Sequence, residues 1–203
     1  MYEENREDNE FGDVGPRVDD DGRLVDLMLR VRGDDEEAFR QLVEATEDRL
    51  FGTIVRMLGG VEGAEDLAQR VYLRIWQARA RYERRSKFST WMFSIMHRLV
   101  LNERRGRARR AAVFHSQQPE ETPNEPLSPD FPSSNVAATE LAAAIDAALA
   151  QLPKEQRTAV VLRRYEEMPY EEIAEVLGTS VSSVKSLLFR ARQSLREKLS
   201  AWL

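Results

Sequence analysis

The segment EEIAEVLGTSVSSVKSLLFRAR, residues 171–192, sets short polar and cationic side chains at helical spacing after a Gly-containing turn. Counted at ~100° per residue, Ser182, Lys185, Ser186, Phe189, Gln193 and Arg196 share one face, with Arg190 at its edge. Hydroxyls, amides and cations suit base edges and phosphates, and an exposed Phe suits a thymine methyl group. The opposite arc, Val181, Val184, Leu187, Leu188, Ala191, Leu195 and Leu199, must face a core. The competing reading is a solvated helix face carrying one stray aromatic.

A second constellation falls earlier, where six of the sixteen aromatics (Tyr72, Trp76, Tyr82, Phe88, Trp91 and Phe93) lie within residues 72–93. Residues 81–110 carry ten bases against two acids, Glu83 and Glu103. Aromatics interleaved with cations fit single-stranded nucleic acid, since bases stack on rings while Arg and Lys follow the backbone. Trp91, Ile95, Arg98, Asn102 and Arg105 form one helical stripe. The alternative is a core Trp beside a basic helix end that its own dipole favours. A third face lies on GAEDLAQRVYLRIWQ, where Ala64, Leu67, Ala68, Val71, Tyr72 and Ile75 point inward and Glu62, Asp66, Gln69, Leu73 and Trp76 point outward. Large apolar groups among fixed charges resemble the centre and rim of a protein interface. The alternative has Trp76 folding back over the bundle.

Helices must position all three faces. Apolar stripes predict a short helix through Leu24, Leu27, Met28 and Val31, and a second from Phe39 to Leu58 that stops at Gly59-Gly60. A third runs from about Glu62 to Ala80 and a fourth from about Ser89 to Arg109, with RYERRSK as a loop between them. An Ala- and Leu-rich helix over 137–152, helices starting at Pro153 and Pro169, and a last helix over about 181–200 follow. The chain is expected to be all-α: two small helical domains, 23–112 and 137–203, joined by a flexible Pro-rich acidic linker over 113–136 and preceded by a disordered acidic tail, 1–22.

Charge is segregated along that order. Residues 1–22 hold nine acids and two bases, 23–110 hold thirteen acids and nineteen bases, 111–136 hold four acids and no base, and 137–203 hold nine of each. A basic domain between two acidic stretches calls for a polyanionic partner, and the acidic stretches should repel free nucleic acid. With no Cys and only His97 and His115, thiol chemistry, disulfides and a His-based metal site lose their parts, and no cofactor or metal is expected. No phosphate loop or nucleophile-base pairing supports an enzyme. The acidic N-terminus has no apolar core and no apolar run spans a bilayer, so the expected location is cytoplasmic.

In this order, AFRQLVEATEDRLFGTIVRMLGG, AEDLAQRVYLRIWQARARY, KFSTWMFSIMHRLVLNERRGR and LPKEQRTAVVLRRYEEMPYEEIAEVLGTSVSSVKSLLFRARQSLREKL resemble the extracytoplasmic-function (ECF) sigma factors of the sigma-70 family, bacterial transcription initiation factors. The resemblance covers about residues 24–110 and 137–200. It implies a region-two and a region-four domain without region three, and binding to core RNA polymerase through the beta-prime clamp helices and the beta flap. It also implies recognition of minus-10 and minus-35 promoter DNA, single-stranded and duplex, and control by an anti-sigma factor. Catalysis is then the polymerase's own. Carried onto this sequence, the polymerase-binding set is Glu62, Asp66, Gln69, Arg70, Leu73 and Trp76. The minus-10 set is Arg81, Lys87, Phe88, Ser89, Thr90, Trp91, Arg98, Asn102 and Arg105, and the minus-35 set is Ser182, Ser183, Lys185, Ser186, Phe189, Arg190 and Gln193. Two positions depart from the pattern. Arg70 stands where the family usually has an acid, and Arg98 replaces its common Asn, so the preferred minus-10 base does not carry over. The rival reading is a helix-turn-helix regulator of duplex DNA, which needs neither the AEDLxQ face nor a single-strand stacking loop.

Overall fold

The computed structural model describes residues 20–84, 87–114 and 136–202. Within them α1 (Asp20–Arg32) puts Leu24, Leu27, Met28 and Val31 on one buried stripe. Asp34 then turns the chain at φ 65°, a left-handed conformation that a short polar side chain tolerates better than most. Asp35 caps α2 (Glu36–Leu58) by accepting the Ala38 N–H at 2.9 Å. That bond and the Arg30 guanidinium hold its carboxyl below the usual range. α2 ends at Gly59, which is left-handed at φ 80° and donates its N–H to the Val55 carbonyl.

α3 (Ala64–Ala78) starts later and stops earlier than the sequence predicts, because Gly63 enters at φ 71° and Arg79–Arg81 tighten into a 3-10 turn. α4 (Phe88–Phe114) instead runs five residues beyond the expected Arg109. Its N-terminus is capped from a distance. The Asp21 carboxylate accepts the backbone N–H groups of Phe88 at 3.2 Å and Ser89 at 3.1 Å. Asp21 falls inside the stretch expected to be a disordered tail, so that expectation is corrected for residues 20–22; residues 1–19 lie outside the described residues. Thr46 of α2 ties the bundle further, with its hydroxyl 2.9 Å from that of Tyr72 on α3. Burial pushes the Tyr72 phenol up to about 12.

The second set of helices is α5 (Val136–Ala150), α6 (Lys154–Arg164), α7 (Tyr170–Leu177) and α8 (Val181–Lys198), followed by a 3-10 turn at Ser200–Trp202. The expected linker is shorter than 113–136, since α4 reaches Phe114 and α5 begins at Val136; residues 115–135 lie outside the described residues. The described residues are helical without a strand, as the periodicity predicts, and no helix among them is long and apolar enough to cross a membrane.

The two helical sets pack directly on each other, an arrangement the sequence does not announce. α2 meets α5 and α6, and α4 meets α7. Arg157 of α6 is buried and donates to the Met57 carbonyl at 3.3 Å. The Arg56 guanidinium lies 4.3 Å from the centre of the Tyr165 ring. Gly59 sits at this seam, where a Cβ would come within 3.0 Å of an Arg157 nitrogen and 3.4 Å of the Ala150 Cβ.

Because the Asp21 carboxylate accepts two backbone N–H groups at the start of α4, Asp21→Ala is expected to cost about 0.5–2 kcal/mol of stability. Urea unfolding followed by circular dichroism checks this, and Asp21→Asn should recover part of the loss.

Candidate nucleic-acid and protein interfaces

α8 exposes one polar and cationic face. α7 ends at Gly178, left-handed at φ 64°, and the Thr179 N–H returns to the Ala174 carbonyl at 2.9 Å, closing the helix in a short turn. Ser180 caps α8 by accepting the Ser183 N–H at 3.2 Å. With Val184, Leu188 and Ala191 buried, the opposite face leaves Ser182, Lys185, Ser186, Phe189, Arg190 and Gln193 exposed. Phe189 is 60% exposed, a large aromatic open to solvent. It shares a shallow hollow with Lys185, Ser186 and Arg190. Ser183 is half-buried and spends its hydroxyl on Ser180 at 3.0 Å.

α3 presents the second face. Ala64, Leu67, Val71 and Ile75 are buried, and Asp66, Gln69, Arg70 and Leu73 line one shallow hollow, with Leu73 54% exposed. Glu62 is exposed just before it. Trp76 does not belong to the open surface. Its ring packs 5.0 Å from that of Phe39 and is covered by the Arg79 guanidinium at 4.2 Å, so it folds back over the bundle.

The aromatic-basic region divides between interior and surface. Phe88, Ser89 and Thr90 are buried, and Trp91 is half-buried in a cluster with Tyr82 at 5.1 Å and Phe88 at 6.1 Å. Most of the aromatic content therefore builds the core, because the first turn of α4 is pinned inward by Asp21. Arg81, Lys87, Arg98 and Asn102 are exposed. The Arg105 side chain lies outside the described residues.

Two residues beyond the expected sets stand out beside Lys87 and Thr90. Arg49 and Thr53 lie one turn apart on α2, with the Arg49 guanidinium 5.2 Å from the Phe93 ring centre. Both bond the Glu166 carboxylate of the α6–α7 turn. The available signal was charge: five of the nine acids in residues 137–203 fall within 166–175, facing a basic domain. Farther along α4, the buried His97 lines a cleft with Leu101, Glu155, Ser182, Ser186 and Arg190. Its Nδ1 has no hydrogen-bond partner among the described residues. Burial holds its pKa below the ordinary 6.5, Glu155 opposing and Arg98 assisting.

Residues 42–110 match the family model of sigma-70 region 2, and residues 142–195 that of sigma-70 region 4. The ECF RNA polymerase sigma factor SigW of Bacillus subtilis is 30% identical over 180 residues, spanning 85% of this chain and 94% of SigW. The RNA polymerase sigma-H factor of Pseudomonas aeruginosa is 30% identical over 190 residues, spanning 87% and 94%. Among solved structures, the sigma factor RpoE in complex with the anti-sigma factor NepR, from Bartonella quintana, shares the fold with a TM-score of 0.66. Its identity is 24%, over 80% of this chain and 96% of that one.

A histidine held neutral by burial binds fewer protons folded than unfolded, so stability should fall as pH is lowered through 6.5. His97→Gln should lose less stability than the parent over the same descent. Urea midpoints of both proteins on either side of that pH give the comparison, and parallel pH profiles would exclude His97 as the source.

Proposed function

The chain belongs to the ECF sigma factors of the sigma-70 family, and from that premise we propose how its surfaces divide the work of directing RNA polymerase to promoters. As a sigma factor it recruits core polymerase to specific start sites, and the chemistry of RNA synthesis stays with the polymerase. α1–α4 form the region-two domain. Asp66, Gln69, Arg70 and Leu73 dock on the beta-prime clamp helices, with Glu62 at the rim and Trp76 supporting from beneath. α5–α8 form the region-four domain, which also reaches the beta flap. Lys185, Ser186, Phe189, Arg190 and Gln193, flanked by Ser182 and Ser183, read the minus-35 duplex in the major groove.

Minus-10 handling falls to Arg81, Lys87, Arg98, Asn102 and Arg105 as the outer cationic and amide groups. Phe88, Ser89, Thr90 and Trp91 form the floor that has to be uncovered for a base to enter. An anti-sigma factor is the expected antagonist, a reading supported by the shared fold with a sigma factor solved in complex with one.

The observation that carries this division is the coexistence, in one chain, of a solvent-facing helix-turn-helix surface around Phe189 and a separate hollow of mixed charge with an exposed apolar centre at Leu73. A regulator of duplex DNA alone would need only the first.

Asp66→Arg, a change at an exposed site, should weaken co-purification with core polymerase while leaving the circular dichroism spectrum unchanged. Retained binding would remove the α3 face from the interface. Run-off transcription over a promoter library then gives the recognised elements. On such a promoter, loss of a base contact through Phe189→Ala or Arg190→Ala should cost about 1–3 kcal/mol at one position, whereas loss of a phosphate contact should weaken all sequences alike. Two variants that bind as the parent does would show that α8 reads DNA through another face.

A further inference from the structure

Two carboxylates of the second helical set are each held by the same kind of donor pair on the first, one cation and one threonine hydroxyl. Glu172, in the first turn of α7, receives the Lys87 ammonium at 2.8 Å and the Thr90 hydroxyl at 3.0 Å. Glu166, in the turn before α7, receives the Arg49 guanidinium and the Thr53 hydroxyl. Its side chain is only 4% exposed, so the charge has left water and depends on those donors. The turn that delivers it holds Glu167 at φ 56°, a strained position for a residue with a side chain.

A phosphodiester shares the features that matter here: one negative charge and two terminal oxygens that accept from Arg, Lys and hydroxyl groups. Lys87 and Thr90 belong to the element assigned above to the minus-10 strand, and Arg49 and Thr53 extend that track across α2. The second reading surface is obstructed in the same arrangement. Ser182, Ser186 and Arg190 of α8 open into the cleft walled by His97 and Leu101 of α4, so a duplex approaching these residues meets α4.

We propose that Arg49 with Thr53, and Lys87 with Thr90, are phosphate-binding pairs for the single-stranded promoter backbone, and that Glu166 and Glu172 occupy them in the unbound chain. The closed packing is then self-inhibition by competition: strand and second domain contend for the same four donors. Assembly on core polymerase, by engaging the two domains separately, would vacate them. This inference rests on the sigma-factor reading of α4, and it adds two binding residues and a closed state to it.

The test uses the full chain with Glu166→Gln and Glu172→Gln together. Because the sequence has no Cys, Gln77→Cys and Glu197→Cys provide one dye site on each domain for energy transfer. A labelled single-stranded oligonucleotide of mixed sequence reports binding by anisotropy. The double variant is expected to show separated dyes and an affinity about tenfold or more above the parent, as expected when a competent state rises from a minor to a major population. On that background Arg49→Ala should weaken binding and lower the salt slope by about one. Glu172→Lys, which leaves buried Glu166 in place, should open the chain through repulsion from Lys87 and guards against misfolding of the double variant. Separated dyes without a gain in affinity, a gain in affinity with the dyes unmoved, or no change in either would each overturn the proposal, as would an Arg49→Ala variant with an unchanged salt slope. Failure of the parent chain to support run-off transcription with core polymerase would instead sink the functional reading, and the two failures are distinguishable.

Discussion

A carboxylate removed from water must find both opposite charge and hydrogen-bond donors, and that requirement at Glu166 fixes how the two helical sets meet. Arg49 and Thr53 sit one turn apart on the rigid face of α2, so they meet the demand in one register only. Arg157, buried at the same seam, brings its charge to the Met57 carbonyl. Gly59 leaves room for it, since a Cβ would press on the same guanidinium. Within a seam that also carries continuous apolar contact, these polar groups are the ones that tolerate few alternative alignments.

Specification of this kind differs from strength. A buried ion pair gains Coulomb energy but loses solvation, and the net is often close to that of an apolar contact of equal volume. Lys87 with Glu172 is more exposed, and such pairs contribute about 0.2–1 kcal/mol. Apolar burial runs through both sets, Leu42, Leu50, Ile54, Leu67 and Val71 of the first joining Val161, Leu162, Ile173, Val184 and Leu188 of the second in one cluster, so the ion pairs set alignment while apolar contact also holds the sets together.

Much of this was legible in the sequence because helical periodicity is local. The inward arc of α8, the turn at Gly178 and the cap at Ser180 follow from residues within one or two turns of each other, and so does the inward stripe of α3. What stayed hidden depends on partners distant in the chain. Asp21 reads as part of an acidic tail until its donors, 67 and 68 residues away, are in place. Trp76 and the Phe88–Trp91 segment combine apolar and polar signals, and only packing against Phe39, Tyr82 and α1 decides which side they take. Glu166 and Glu172 read as ordinary surface acids of a short helical turn, because their partners lie 117 and 82 residues upstream.

That sequence separation also has a consequence in time. Synthesis runs from the N-terminus at about 5–20 residues per second, so the 117 residues between Arg49 and Glu166 take roughly 6–23 s to make. Asp21, α1, α2 and α3 all emerge before α4 is finished, and the first domain has every residue of its own core while the second is still on the ribosome. During that interval its cationic track faces the crowded surroundings of the ribosome, RNA included, with no carboxylate across from it. Each new molecule passes once through an uncovered state before its own C-terminal half arrives to close it.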